Sequence, residues 1–298
     1  ARIGLAQFDA ALTSRARSLG YALFAAEQKA VAARDVAVRM RALARIVEQR
    51  DPAGIAPALD AAILDAGAIT TERNAALADS EASTISYELN QLRGVSLKTR
   101  IRIAPPVVAL PSLPSAERMA QQAGANNFEI RSLQAQLQQQ GLRVDLAQAA
   151  RIPNVSVGPY VNHARSDSRE TNFGVRLTTT LPIWNSQAAG VAQELSRQSQ
   201  GEAALLAINR RVARQVYEQA ANYEAKRRVL ATWPASAAEK FAAAATTADN
   251  SYRQGAIPVA TYVEMQRQYL DALTALLDTR REAMEAMLQL RALNGGRS

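Results

Sequence analysis

The side chains able to do chemistry are few. His163 is the only histidine and there is no cysteine, which excludes a thiol nucleophile, a disulfide and a cysteine zinc site. One imidazole leaves little for acid–base or metal chemistry. His163 also falls beside a polar stretch around Arg165–Thr171, where a lone histidine reads as solvated rather than as a ligand. No phosphate-cradling glycine loop, nucleophile elbow or zinc-protease motif occurs. The acids lie along helical stretches, where Asp and Glu read as a solvated face or as i,i+4 partners of arginine. No catalytic, cofactor or metal site is expected, and hence no enzyme.

What the sequence does carry is position. "RDPAGIAPALD" (Arg50–Asp60) and "RQGAIPVATYVE" (Arg253–Glu264) write the same Gly–x–x–Pro turn between long helical stretches. Gly54 and Gly255, Pro57 and Pro258, and Gly94 and Gly295 are each 201 residues apart. Punctuation that keeps register over forty residues marks an internal duplication.

Composition fits long helices. Apolar residues make up 48% of 298, dominated by alanine, with only 5% aromatic; small side chains let helix axes approach closely. The net charge of +8 is spread among Glu and Asp along the helices without aromatic interleaving, so nucleic acid is not an expected partner. No apolar run approaches the ~20 residues of a membrane helix, and no secretory signal opens the chain.

The punctuation predicts a first helical hairpin over 1–94 with its tip near 51–57, and a proline-broken linker over 95–114. Ser115 then caps a helix over 115–152, with an interruption near Gly124–Asn127. A second hairpin covers 184–298, with its tip near 252–258 and a kink at Pro234. Val263, Leu270, Leu277 and Met284 beside Tyr262, Tyr269, Leu276 and Ala283 form a seven-residue seam, predicting supercoiling against partner helices.

Between these, residues 153–183 change period from about 3.6 to 2. Val155, Val157, Pro159 and Val161 alternate with polar or small residues, and so do Phe173, Val175, Leu177, Thr179 and Leu181. Two strands of nine or ten residues with one apolar face are too marginal to stand alone in water. They suit a transmembrane barrel, where about 9–11 residues span the bilayer. Because lipid cannot satisfy open strand edges, further strands are needed. The duplication places the first copy's strand pair ahead of residue 1, so the chain is expected to lack an N-terminal portion. Trp184 and Tyr160 read either as an interfacial aromatic belt or as packing.

The stretches "NNFEIRSLQAQLQQQGLRVDLAQAARIPNVSVGPY", "FGVRLTTTLPIWN", "YRQGAIPVATYVEMQRQYLDAL" and "LQLRALNGG" resemble, in this order, the TolC-like outer-membrane efflux channels, and among them the heavy-metal CzcC-like branch. The resemblance covers Asn126–Gly296 and, more loosely, Gly20–Gly94. It implies a mainly α fold with a small β part: long antiparallel coiled-coil hairpins forming a periplasmic α-barrel, plus a β-hairpin contributing to a trimeric outer-membrane β-barrel. It implies a homotrimer in a Gram-negative outer membrane, in contact with its lipid and extending into the periplasm. Its partners would be a periplasmic adaptor and an inner-membrane pump, and its cargo metal cations or drugs. Gly54, Pro57, Gly255 and Pro258 then match adaptor-contacting tips. Asp60 and Glu264 match acids at the periplasmic aperture, although both also read as helix N-terminal acids favoured by the macrodipole. Ile257 and Ile63 are apolar where a charged lock or a matching acid would stand, so a salt-bridge lock on a closed state is not expected. The alternatives fit less well: a periplasmic adaptor needs a lipoyl-like β domain, and a structural coiled-coil scaffold leaves the strands unexplained.

Overall fold

The computed structural model describes residues 2–50, 55–105, 110–152, 155–165, 169–179, 186–234 and 236–296. Among the described residues, seven helices and two strands follow in the order α1 (Arg2–Arg50), α2 (Ile55–Arg93), α3 (Ala116–Asn126), α4 (Phe128–Ala149), β1 (Val155–Arg165), β2 (Arg169–Thr179), α5 (Ser186–Ala231), α6 (Ala237–Arg253) and α7 (Val259–Leu293). None of the described helices is long and apolar enough to cross a membrane. The fold is mainly helical with one two-stranded sheet, as the sequence predicts. The chain divides into two compact units, residues 1–127 with 213–298, and residues 128–212.

In the first unit, α1 and α2 form an antiparallel hairpin whose buried residues are mostly alanines, with Leu19, Leu23, Val36, Met40, Leu43 and Leu64 among the larger ones. Arg15–Glu88, Arg34–Asp79 and Arg41–Glu72 bridge its exposed flanks. Helix α7 packs across both helices of this hairpin and antiparallel to α6. Gly67 faces both neighbours: a Cβ there would lie 3.2 Å from Met40 Sδ and 3.4 Å from Val263 Cγ1. The α7 seam faces inward as its period predicts, with Tyr262, Leu276, Leu277, Ala283 and Met284 buried.

Glycine ends the helices in both copies of the duplication. Gly94 and Gly295 have φ of 67° and 77°. In each case the next amide returns to the carbonyl five residues back, Val95 N to Asn90 O and Gly296 N to Arg291 O. These are left-handed caps that a side chain would strain. Gly295 has a second reason to lack a Cβ, since one would sit 2.4 Å from the Asn126 carbonyl oxygen.

The linker has no regular helix among its described residues; 106–109 lie outside them. Asn90, buried, donates from Nδ2 to Leu97 O at 2.9 Å and Thr99 O at 2.7 Å, fixing the chain as it leaves α2. Ser115 caps α3, accepting from Arg118 N at 3.3 Å, and the predicted interruption falls at Asn127 between α3 and α4. At Pro234 the structure goes further than a kink. Helix α5 ends at Ala231 and α6 begins at Ala237, because proline supplies no amide and clashes with the preceding turn.

In the second unit, α4 runs antiparallel to the first part of α5. Gln140 Nε2 donates to Glu194 Oε2 at 2.6 Å, Arg211 pairs with Glu129, and Gly201 leaves room for Leu137. Strands β1 and β2 pair antiparallel from Val155↔Thr179 to Arg165↔Arg169. Each has 11 residues, slightly longer than the period alone predicts. Leu181 and Trp184 lie outside the described residues.

Candidate functional site

Two places carry the functional expectations, one in each unit. The first is the end of the helical unit where both turns lie. Val47 and Ala61, flanking the first turn, share one apolar cluster with Ala248 and Val259, flanking the second, together with Val36, Met40, Leu43, Leu64 and Tyr262. The two turns therefore share one end of the unit. Residues 51–54, including Gly54, lie outside the described residues.

The second turn is well defined. Gly255 has φ 72°, its amide returns to Tyr252 O, and Ala256 N returns to Ser251 O, so glycine is needed for the reversal. The two prolines differ in place. Pro57 is the third residue of α2, where its missing amide has no helical acceptor to lose, whereas Pro258 is extended, ψ 158°, at the N-cap of α7.

A polar group inside this end was not read from the sequence. Tyr262, fully buried, donates from its hydroxyl to Asp249 Oδ1 at 3.2 Å and stacks on Tyr252 with centroids 5.2 Å apart. Asp249 Oδ2 accepts from Arg253 Nε at 2.7 Å. Gln266, also fully buried, donates to Ala245 O at 2.8 Å. Burial, followed by the charge of Asp249, pushes the Tyr262 hydroxyl above its ordinary pKa. The seven-residue spacing placed Tyr262 in the seam, but nothing local marks Asp249, thirteen residues earlier on another helix, as its partner.

Of the two acids expected at an aperture, Glu264 is not a bare carboxylate. Arg267 donates to both its oxygens, from Nε at 2.9 Å and Nη2 at 2.8 Å, and Gln268 adds a third bond at 3.0 Å. The Arg267 bonds, then that of Gln268, hold its carboxyl below the usual carboxylate range. Asp60 is half-buried, with no ion pair among the described residues. Neither α2 nor α7 has an acid in its first turn, so the macrodipole reading of these two residues loses its footing.

The second place is the strand pair. The register puts Val155, Val157, Pro159 and Val161 opposite Thr179, Leu177, Val175 and Phe173, so the apolar residues of both strands share one face. That face is uncovered: Phe173 is 79% exposed, Val175 74% and Val157 67%. At its loop end the apolar run gives way to His163, whose Nδ1 lies 3.0 Å from Thr171 Oγ1. His163 is exposed, and the described residues hold no cluster of His, Asp and Glu suited to a metal.

Residues 119–296 match the outer membrane efflux protein family. The chain belongs to that family. Among curated proteins no sequence matches it significantly. Solved structures do. The outer-membrane channel OprN is similar at 18% identity and TM-score 0.76, over 99% of this chain and 68% of that one. The Campylobacter jejuni CmeC outer membrane channel is similar at 13% and 0.75, over 99% and 64%. CusC, described with transmembrane channel formation, is similar at 17% and 0.71, over 98% and 70%. The chain thus spans about two thirds of each of these three structures. It has the fold of the TolC-like outer-membrane channels, and this efflux protein belongs to the Gram-negative outer membrane.

Proposed function

We propose that this efflux protein is the passive exit duct of a tripartite system, a homotrimer in which the strand pair joins a lipid-embedded β-barrel. The observation that carries this is the continuous apolar face of β1 and β2, exposed on strands of 11 residues. Water gives such a face no partner, and a bilayer does. The opposite face, with Ser156, Tyr160, Arg176 and Thr178, suits a water-filled lumen. The paired turns at Pro57 and at Gly255 and Pro258, with Gly54 beside them in sequence, are the surface offered to a periplasmic adaptor coupled to an inner-membrane pump. Asp60 and Glu264 stand near the aperture these turns surround. A duct of this kind leaves selection of cargo, whether metal cations or drugs, to the pump. Single-channel recording of the full-length protein in a planar bilayer tests the reading. Discrete conductance steps are expected, and a folded trimer that conducts nothing would overturn it.

A further inference from the structure

On the polar face of the strand pair, Tyr160 stands opposite Gly174 and Gly158 opposite Arg176. A Cβ on Gly174 would lie 2.5 Å from Tyr160 Cε1, so the ring occupies the place of the missing side chain. The Arg176 guanidinium lies over that ring, 5.1 Å from its centroid. Arg176 is exposed, and no carboxylate pairs with it among the described residues. The backbone of Glu170 stands six residues along the strand, about 20 Å away.

An aromatic face and a carboxylate hold a guanidinium with opposite results. A carboxylate cancels its charge, whereas the ring orients it through the quadrupole and leaves the charge in place. The two glycines make this possible, because a side chain at Gly174 would displace the ring. We infer that Arg176, held on Tyr160, is a fixed cation on the lumen wall of the outer-membrane pore, repeated in each subunit, and that it biases this section toward small anions. The inference rests on the duct reading and adds a residue that sets ion preference.

Geometry bounds the effect. Twelve strands about 4.8 Å apart and tilted ~40° give a barrel radius of about 12 Å, which brings the guanidinium roughly 8 Å from the axis. That is about one Debye length at physiological salt, so the bias is strong in dilute salt and screened in concentrated salt.

The test is the reversal potential of the full-length channel in a planar bilayer under a potassium chloride gradient. Arg176→Gln is expected to raise the cation-to-anion permeability ratio about threefold near 10 mM salt and less than about 1.5-fold near 1 M. Arg176→Lys keeps the charge and is expected to keep the wild-type ratio. Should Arg176→Gln fail to assemble, Thr178→Glu, on the same face one pleat away, puts a carboxylate beside the guanidinium and should move the ratio in the same direction. A conducting channel whose ratio ignores these substitutions overturns the inference alone. Absence of conductance in the wild type overturns the duct reading.

Discussion

The hairpin of α6 and α7 and the hairpin of α1 and α2 descend from one duplicated unit, yet they are held by different forces near their turns. In the later copy the contact contains Asp249, Tyr262 and Gln266, all buried and hydrogen-bonded. Subtracting the 201-residue offset gives Glu48, Ala61 and Asp65 in the earlier copy, where Glu48 and Asp65 are exposed and Ala61 packs against aliphatic residues. The earlier hairpin relies on apolar packing, with exposed ion pairs such as Arg41–Glu72 that contribute at most about 1 kcal/mol each. Buried hydrogen bonds are directional, and a slip of one helix leaves their groups unsatisfied. Apolar packing tolerates a slip far better. The lesson is that two hairpins with the same Gly–x–x–Pro spacing in sequence can be held in different ways, one by buried hydrogen bonds that fix register and the other by apolar packing.

The sharpest way to break this contrast is Tyr262→Ala, which makes the later copy resemble the earlier one. It removes a fully buried ring and should cost about 3–5 kcal/mol, read as a lowered midpoint of helix unfolding in detergent. A loss below about 1 kcal/mol would mean that the two hairpins are not held differently.

Gly255→Ala comes next. At φ 72° an alanine should cost about 1–2 kcal/mol in the same unfolding measurement. The same change at Gly54 extends the comparison to the first turn: an equal loss shows a left-handed turn there as well, and no loss shows that the two reversals differ.

Tyr262→Phe isolates the hydrogen bond and should cost about 1 kcal/mol. It also carries a pH signature. Folding raises the Tyr262 pKa, so the folded state keeps a proton that the unfolded chain releases near pH 10. The stabilisation is complete below that pH and is lost as pH rises through the folded pKa. Unfolding midpoints of the wild type should therefore fall more steeply above pH 10 than those of Tyr262→Phe, and parallel curves would count against a hydroxyl buried beside Asp249.

The smallest effect concerns ion preference at the turn end. Arg267 already neutralises Glu264, whereas Asp60 has no ion-pair partner among the described residues. Asp60→Asn should therefore reduce cation preference more than Glu264→Gln in bilayer recordings, though each by less than about twofold in physiological salt. The reverse order would show that the Glu264–Arg267 pair opens in the assembled channel.

Much of this molecule was legible in the sequence. The glycines and prolines at a constant offset announced the turns, the α7 seam announced its buried side, and the change of period at Pro153 announced the strands. Each rests on a local rule: left-handed φ for glycine, a missing amide for proline, one period for helix and another for strand. One prediction needed refinement: Pro234 breaks the helix outright instead of kinking it. The polar contact of Asp249 with Tyr262 and the placement of Arg176 over Tyr160 were not legible, because each joins residues 13 or 16 positions apart on different elements.

The sequence by itself determined the repeated turn spacing, the helical hairpins and the alternating strands, since all of these follow from spacing and residue type along the chain. Tertiary structure decided which polar groups meet across elements, as Tyr262 meets Asp249, and that the apolar residues of both strands fall on one uncovered face. Those outcomes depend on register between elements, and register is fixed only when side chains from distant parts of the chain pack together.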